Sequence, residues 1–233
     1  MRKTQIIVAL DTQNPAQARE WIAQVRPFAG AVKLGLEFTY AAGPAAVAEI
    51  ARDTPVFLDL KLHDIPNTVA GALHALAPVQ PMMLTIHAAG GAGMISAARQ
   101  AINEVWPEVK RPLLLAVTVL TSLDDSALAE TGITDGAQAQ VIRLAGLALA
   151  AGADGLVCSP HELAVLRKTF GDGPVLVTPG IRPAGAAVGD QKRVMTPAQA
   201  RDAGADWIVV GRPVTGAADP AQAAAAIAGE LTR

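Results

Sequence analysis

The chain holds a single cysteine, Cys158, so no internal disulfide staples the fold. Aromatic residues make up only 3% of the sequence, and Ala, Leu, Val and Gly dominate instead. That mixture suits parallel strands packed under small-residue helices better than a β-sandwich. No run of Lys or Arg exceeds two and the formal net charge is -2, which excludes the electrostatic footprint that non-specific binding to nucleic acid or to an anionic membrane requires. No apolar stretch reaches membrane-spanning length, and no basic N-terminus leads into a long apolar run. Linkers and low-complexity tracts are absent as well. These absences predict a cytoplasmic protein whose partner is a small molecule, with no nucleic acid and no membrane.

What is present is apolar and periodic. With 51% hydrophobic residues in 233, the chain can bury a large core, and one domain over 1–233 is expected. Short apolar, β-branched runs recur at Ile6 to Leu10, Ala31 to Leu34, Val56 to Leu62, Met82 to Ile86, Leu113 to Val119, Gly155 to Val157, Val175 to Val177 and Trp207 to Val210. Between them lie Ala-rich amphipathic stretches with helix punctuation. Asn14-Pro15 is a cap followed by a first-turn proline, and Ala18, Trp21, Ile22 and Val25 form one apolar stripe. Val69, Leu73 and Leu76 repeat the pattern. Gly152 and Gly204 stand where helices end, while Gly43-Pro44 and Ser159-Pro160 open others. Alternating β and α elements permit an open doubly wound sheet or a closed barrel, and about eight units in this length fit the (β/α)8 TIM barrel, an α/β fold. Functional groups of such barrels sit at the carboxyl ends of the strands.

One of the apolar runs carries charge. Along Val56-Phe57-Leu58-Asp59-Leu60-Lys61-Leu62, period-two geometry puts Asp59 and Lys61 on one face and the leucines on the other. The leucines would meet helices, so the charges point inward. Lys33 lies on the second strand, Asp11 ends the first, and Asp64 follows the third. Lys33, Asp59, Lys61 and Asp64 are then expected to converge in alternating sign, an array tolerable only because it is paired. A salt-bridge network that merely plugs the barrel mouth is the plain alternative. Inward charges flanked by apolar runs are costly to keep unless they are used.

The run Asp59-Leu60-Lys61-Leu62-His63-Asp64-Ile65-Pro66-Asn67-Thr68 resembles the signature of the orotidine 5'-monophosphate decarboxylase family. Further pieces follow in family order over nearly the whole chain: Val8 to Asp11, Val32 to Gly35, Leu120-Thr121-Ser122, Val177 to Arg182, Gln191, and Val210 to Pro213. The resemblance implies removal of carbon dioxide from a pyrimidine ring carbon in UMP biosynthesis, with no metal, flavin or other cofactor.

Charge placement must then carry the catalysis. The resemblance implies that Lys61 stabilises the developing carbanion and protonates it, while Asp59 faces the substrate carboxylate. Two carboxylates about 4 Å apart repel by roughly 4 kcal/mol at an effective dielectric near 20. Very slow reactions need barrier reductions of about 20 kcal/mol, so a preorganised lysine and binding energy at the remote phosphate must supply the rest. Lys33 and Asp64 fit as groups that orient Lys61 and Asp59 and touch the ribose, and Asp11 is placed for a ribose hydroxyl. In the family Asp64 and Thr68 reach into the neighbouring subunit's site, which implies a homodimer.

The phosphate dianion needs Arg and backbone donors. Pro179 to Arg182 and Gly211-Arg212 lie after strands seven and eight, where barrels place phosphate sites. Arg212 is the stronger candidate. Arg182 opens an Ala/Gly segment through Gly185 and Gly189 that has the look of a lid, with Gln191 bridging phosphate and base. Thr121 and Ser122 are candidates for the pyrimidine edge, although a Ser or Thr after a strand is more often a helix cap. Cys158 is expected to pack. His87 ends a strand and is a candidate to line the pocket, His63 packs or faces outward, and His74 and His161 sit on the surface. None has a partner at metal-ligand spacing. The rival reading is a magnesium-dependent sugar-phosphate decarboxylase or aldolase, whose barrels reuse an Asp-x-Lys-x-x-Asp arrangement; a non-catalytic nucleotide sensor is a more distant one.

Overall fold

The structure is a computed structural model that describes residues 3–183 and 195–232. Eight parallel strands close on themselves in sequence order. They are β1 (Gln5–Ala9), β2 (Ala31–Gly35), β3 (Val56–Leu62), β4 (Met83–His87), β5 (Leu113–Val117), β6 (Gly155–Val157), β7 (Val175–Thr178) and β8 (Trp207–Val210). The helices are α1 (Pro15–Val25), α2 (Leu36–Ala51), α3 (Pro66–Ala75), α4 (Gly91–Val105), α5 (Asp125–Glu130), α6 (Gly136–Ala150), α7 (Leu163–Phe170), α8 (Pro197–Asp202), α9 (Arg212–Thr215) and α10 (Pro220–Thr232). Among the described residues no helix is long and apolar enough to cross a membrane.

The strands form where expected because both of their faces are apolar. Residues of one parity, such as Ile6, Val8, Leu34, Leu58 and Leu84, pack with Ala18, Ile22 and Leu73 of the helices into the large core between barrel and shell. The other parity, Ile7, Ala9, Ala31, Phe57, Met83, Leu115, Val177 and Val209, makes a separate apolar cluster that fills the barrel interior. Asn14 caps α1 by accepting from Ala16 N at 2.9 Å, ahead of Pro15.

Several strand ends differ from expectation by one or two residues. The first strand begins one residue earlier, at the exposed Gln5, whose backbone pairs with β8. The fifth ends at Val117, after which Val119 and Leu120 turn to line the cavity. Gly43-Pro44 does open a helix: Gly43, at φ 77 and ψ 164, is non-helical and divides α2 into two helical segments, the second starting at Pro44.

The amino-terminal rim repeats one device that the sequence analysis did not single out. Ala151-Gly152-Ala153-Asp154 and Ala203-Gly204-Ala205-Asp206 precede β6 and β8. Asp154 Oδ2 accepts from Leu114 N at 2.7 Å and pairs with Arg99 of α4, whose Nε donates to Gly152 O at 2.9 Å. Asp206 Oδ2 accepts from Leu176 N at 2.7 Å and from Arg167 of α7 at 2.6 Å, and Arg167 Nε donates to Gly204 O at 3.0 Å. Each arginine ties a helix to the rim beneath two neighbouring strands. Gly152 and Gly204 take φ 104 and φ 100, which opens their carbonyls to the guanidinium and ends the preceding helix.

Candidate active site

At the opposite end the carboxyl termini of the strands surround a cavity of about 580 Å³, a size suited to a small ligand such as a nucleotide. Asp11 follows β1, Lys33 comes from β2, Asp59 and Lys61 from β3, Thr121 follows β5, Pro179 and Arg182 follow β7, and Gly211 and Arg212 follow β8; all line the cavity. Phe57, Val117, Val157, Cys158 and Val209 form its apolar side.

The charged cluster is built on Asp59, which is buried. Its Oδ2 accepts from Lys61 Nζ at 2.8 Å and lies 3.7 Å from Lys33 Nζ, and its Oδ1 accepts from Thr85 Oγ1 at 3.0 Å. Lys33 Nζ also donates to Asp11 Oδ1 at 3.2 Å. Four cationic side chains, Lys33, Lys61, Arg182 and Arg212, thus face three carboxylates, Asp11, Glu37 and Asp59, and the surplus favours an anionic ligand. Burial, and next the facing Arg212 guanidinium, hold Arg182 below the ordinary arginine value. Two like charges converge there, an arrangement that a phosphate dianion would relieve.

Period-two geometry does not by itself put Lys61 beside Asp59. Pairing between β3 and β4 is regular through Leu58 and Leu84 and resumes only at Leu62 and Ile86. Four steps along β3 therefore match two along β4, and Lys61 takes φ 50 inside the irregularity. Both side chains still line the cavity, and Leu58, Leu60 and Leu62 pack outward against the helices as the alternation implied.

Asp64 does not join the cluster. It is exposed, its Oδ1 accepts from Ile65 N at 2.7 Å, and it does not line the cavity, so the expected convergence of four charges becomes Lys33, Asp59 and Lys61 with Asp11. A strand-end residue three positions past Lys61 is carried outward by the exposed run from His63 to Thr68 that enters α3. Thr68 is exposed on the same run. Ser122 is exposed outside the cavity lining, while its neighbour Thr121 is inside it. Gln191 and the Gly185 to Gly189 segment lie outside the described residues.

His87 is not among the lining residues. Its ring lies against His63, with centroids 5.3 Å apart, and burial, then His63 and Lys61, hold its imidazole below the ordinary value, opposed by Asp59. Cys158 is buried, and burial pushes its thiol far above the usual range, consistent with a packing role. His74 and His161 are at the surface. Two site residues were missed. Glu37 lies one residue into α2 and has no distinguishing sequence signal. Thr85 does have one: like His87 it is a polar residue on the inward row Met83, Thr85, His87 of a strand whose other residues are apolar.

A parallel barrel with paired lysine and aspartate at its carboxyl end and two arginines after its last strands defines a phosphate-ligand enzyme class. Residues 4–227 match the model of the "Orotidine 5'-phosphate decarboxylase / HUMPS family", and the chain belongs to that family. It is 57% identical over 231 residues to a protein of Gluconobacter oxydans (strain 621H) named orotidine 5'-phosphate decarboxylase, covering 99% of this chain and 98% of that one. A protein of the same name from Thermobifida fusca (strain YX) is 52% identical, covering 98% of this chain and 96% of that one. The crystal structure of orotidine 5'-phosphate decarboxylase from Lactobacillus acidophilus superposes with a TM-score of 0.88 at 40% identity, covering 99% of this chain and 100% of that one.

Proposed function

We propose that this chain is a cytoplasmic, single-domain enzyme that converts orotidine 5'-monophosphate to uridine 5'-monophosphate in pyrimidine biosynthesis without metal or cofactor. The observation that carries the reading is Lys61 Nζ held 2.8 Å from the buried Asp59, in a cavity that also presents Arg182 and Arg212. The phosphate is gripped by the two arginines with backbone donors near Pro179 and Gly211, and Asp11 and Lys33 meet the ribose. Thr121 and Ser122, with Gln191, serve the pyrimidine. The substrate carboxylate then lies beside Asp59. The bond from the ring carbon to the carboxylate breaks, carbon dioxide leaves, and the electron pair stays on that carbon. Lys61 Nζ supplies the proton that forms the new C–H bond and regains one from solvent. An ammonium already aimed by Asp59 needs no reorganisation when the charge develops, and the apolar wall strengthens its field.

The magnesium-dependent alternative is less well served. Its metal would have to approach an Asp59 whose oxygens already meet Thr85 and Lys61, with Lys33 close by. The deciding test is consumption of orotidine 5'-monophosphate in the presence of chelator, with Lys61→Ala as control. Turnover by the parent and none by the variant is expected. Failure of the parent, or activity that only magnesium restores, would overturn the proposal.

Asp64 and Thr68 are assigned to the site of a second copy in a homodimer, a reading supported by their exposure beside Ile65, which is 66% exposed. Mixing inactive Lys61→Ala and Asp64→Ala proteins should restore part of the activity through hybrid sites. No recovery would argue against a shared site.

A further inference from the structure

The structure assigns Thr85 a positioning role, as the residue that sets Lys61 and Asp59 against each other; the inference rests on the decarboxylase reading above. Thr85 is fully buried on β4 and lies where the pairing of β3 with β4 loses register. It is the single β4 residue between Leu84 and Ile86, whereas Asp59, Leu60 and Lys61 all fall between their partners Leu58 and Leu62. An irregularity of this kind takes backbone groups out of the ladder, and a buried N–H left without a partner is costly. Here the Lys61 N–H donates to Thr85 Oγ1 at 2.8 Å.

That bond orients the hydroxyl. A backbone N–H can only donate, so it occupies an Oγ1 lone pair, and the hydroxyl proton is turned to Asp59 Oδ1 at 3.0 Å. The carboxylate is thereby divided, with Oδ1 committed to Thr85 and Oδ2 left for Lys61 Nζ at 2.8 Å and Lys33 Nζ at 3.7 Å. One hydroxyl therefore locks the left-handed backbone of the proton donor, at φ 50, to the carboxylate that aims its ammonium. Thr85 does not line the cavity, so it acts through the other two residues.

Valine has nearly the shape of threonine and makes neither bond, while serine keeps both. In Thr85→Val, kcat should fall about a hundredfold, the usual cost of misplacing a catalytic group by about 1 Å, with KM changing by less than about threefold because the phosphate grip is untouched. Thr85→Ser should recover most of that loss, and thermal melting should show both variants folded. Crystal structures should show Lys61 leaving the left-handed region and its contact with Asp59 opening in Thr85→Val, with both retained in Thr85→Ser. The inference is overturned if the valine variant keeps its kcat, if the loss appears in KM, if serine falls as far as valine, or if the valine crystal structure keeps the parent geometry. A parent that does not consume orotidine 5'-monophosphate would sink the decarboxylase reading alone, since the crystal structures would still decide whether Thr85 holds Lys61 and Asp59.

Discussion

The two ends of the barrel use charge in opposite ways. At the amino-terminal rim each aspartate meets an arginine and a strand N–H, so that Asp154 with Arg99 and Asp206 with Arg167 close on themselves. At the carboxyl end Asp59 is shared between two lysines, and two mutually repelling arginines, Arg182 and Arg212, line the same cavity. Balanced pairs hold neighbouring elements together and ask nothing of a ligand. An unbalanced set costs stability in the empty state, and a substrate bearing a carboxylate and a phosphate removes that cost on binding.

That contrast can be broken by substitution. Lys61→Ala should give the largest effect, lowering kcat by about ten-thousandfold or more, since in the proposed mechanism it removes both the stabilising charge and the proton donor; absorbance loss of the substrate measures it, with melting little changed. Arg212→Ala should lower kcat/KM by about a hundredfold, equivalent to roughly 3 kcal/mol of charge-assisted hydrogen bonding. The control is the nucleoside without its phosphate, on which parent and variant should react alike. A persistent difference there would remove Arg212 from the phosphate site.

At the other rim Arg167→Ala should cost about 2–3 kcal/mol of stability and lower the melting temperature by roughly 5–10 °C, because it removes the guanidinium from Asp206 and from the Gly204 and Pro174 carbonyls to which it donates. Its kcat should match the parent's, and a parallel fall in kcat would mean that the two ends are not separate in function. The smallest effect concerns His87, whose imidazole is held below 6.5 in the folded chain. Below about pH 6.5 the unfolded chain binds a proton that the folded chain resists, so stability falls as the pH drops through that window and levels off below the folded value. Urea midpoints at about pH 7.5 and 5.5 should therefore differ less in His87→Gln than in the parent; an equal difference would count against the effect.

Much of this was legible along the chain. All eight strands announce themselves as apolar runs because both faces of a parallel barrel strand are buried, and Asp59 and Lys61 stand out because charge inside such a run is rare. Less visible were the features that depend on a neighbouring strand or helix. Arg99 and Arg167 look like ordinary helix-surface arginines until the fold brings Asp154 and Asp206 beneath them. Thr85 shows along the chain only as a polar residue in an inward row, and its role appears when the irregularity in β3 turns two residues toward it.

By itself the sequence determined the (β/α)8 order, the two apolar faces of each strand, and which strand ends carry the charged groups that line the cavity, because period and composition are local properties. The tertiary structure alone decided that Lys61 reaches Asp59 through a break in strand register with φ 50, that Thr85 joins them, and that Asp64 stands outside the cavity of its own chain. Register between strands and the closing of a hydrogen-bond circuit depend on residues more than twenty positions apart, and no pattern within one strand encodes them.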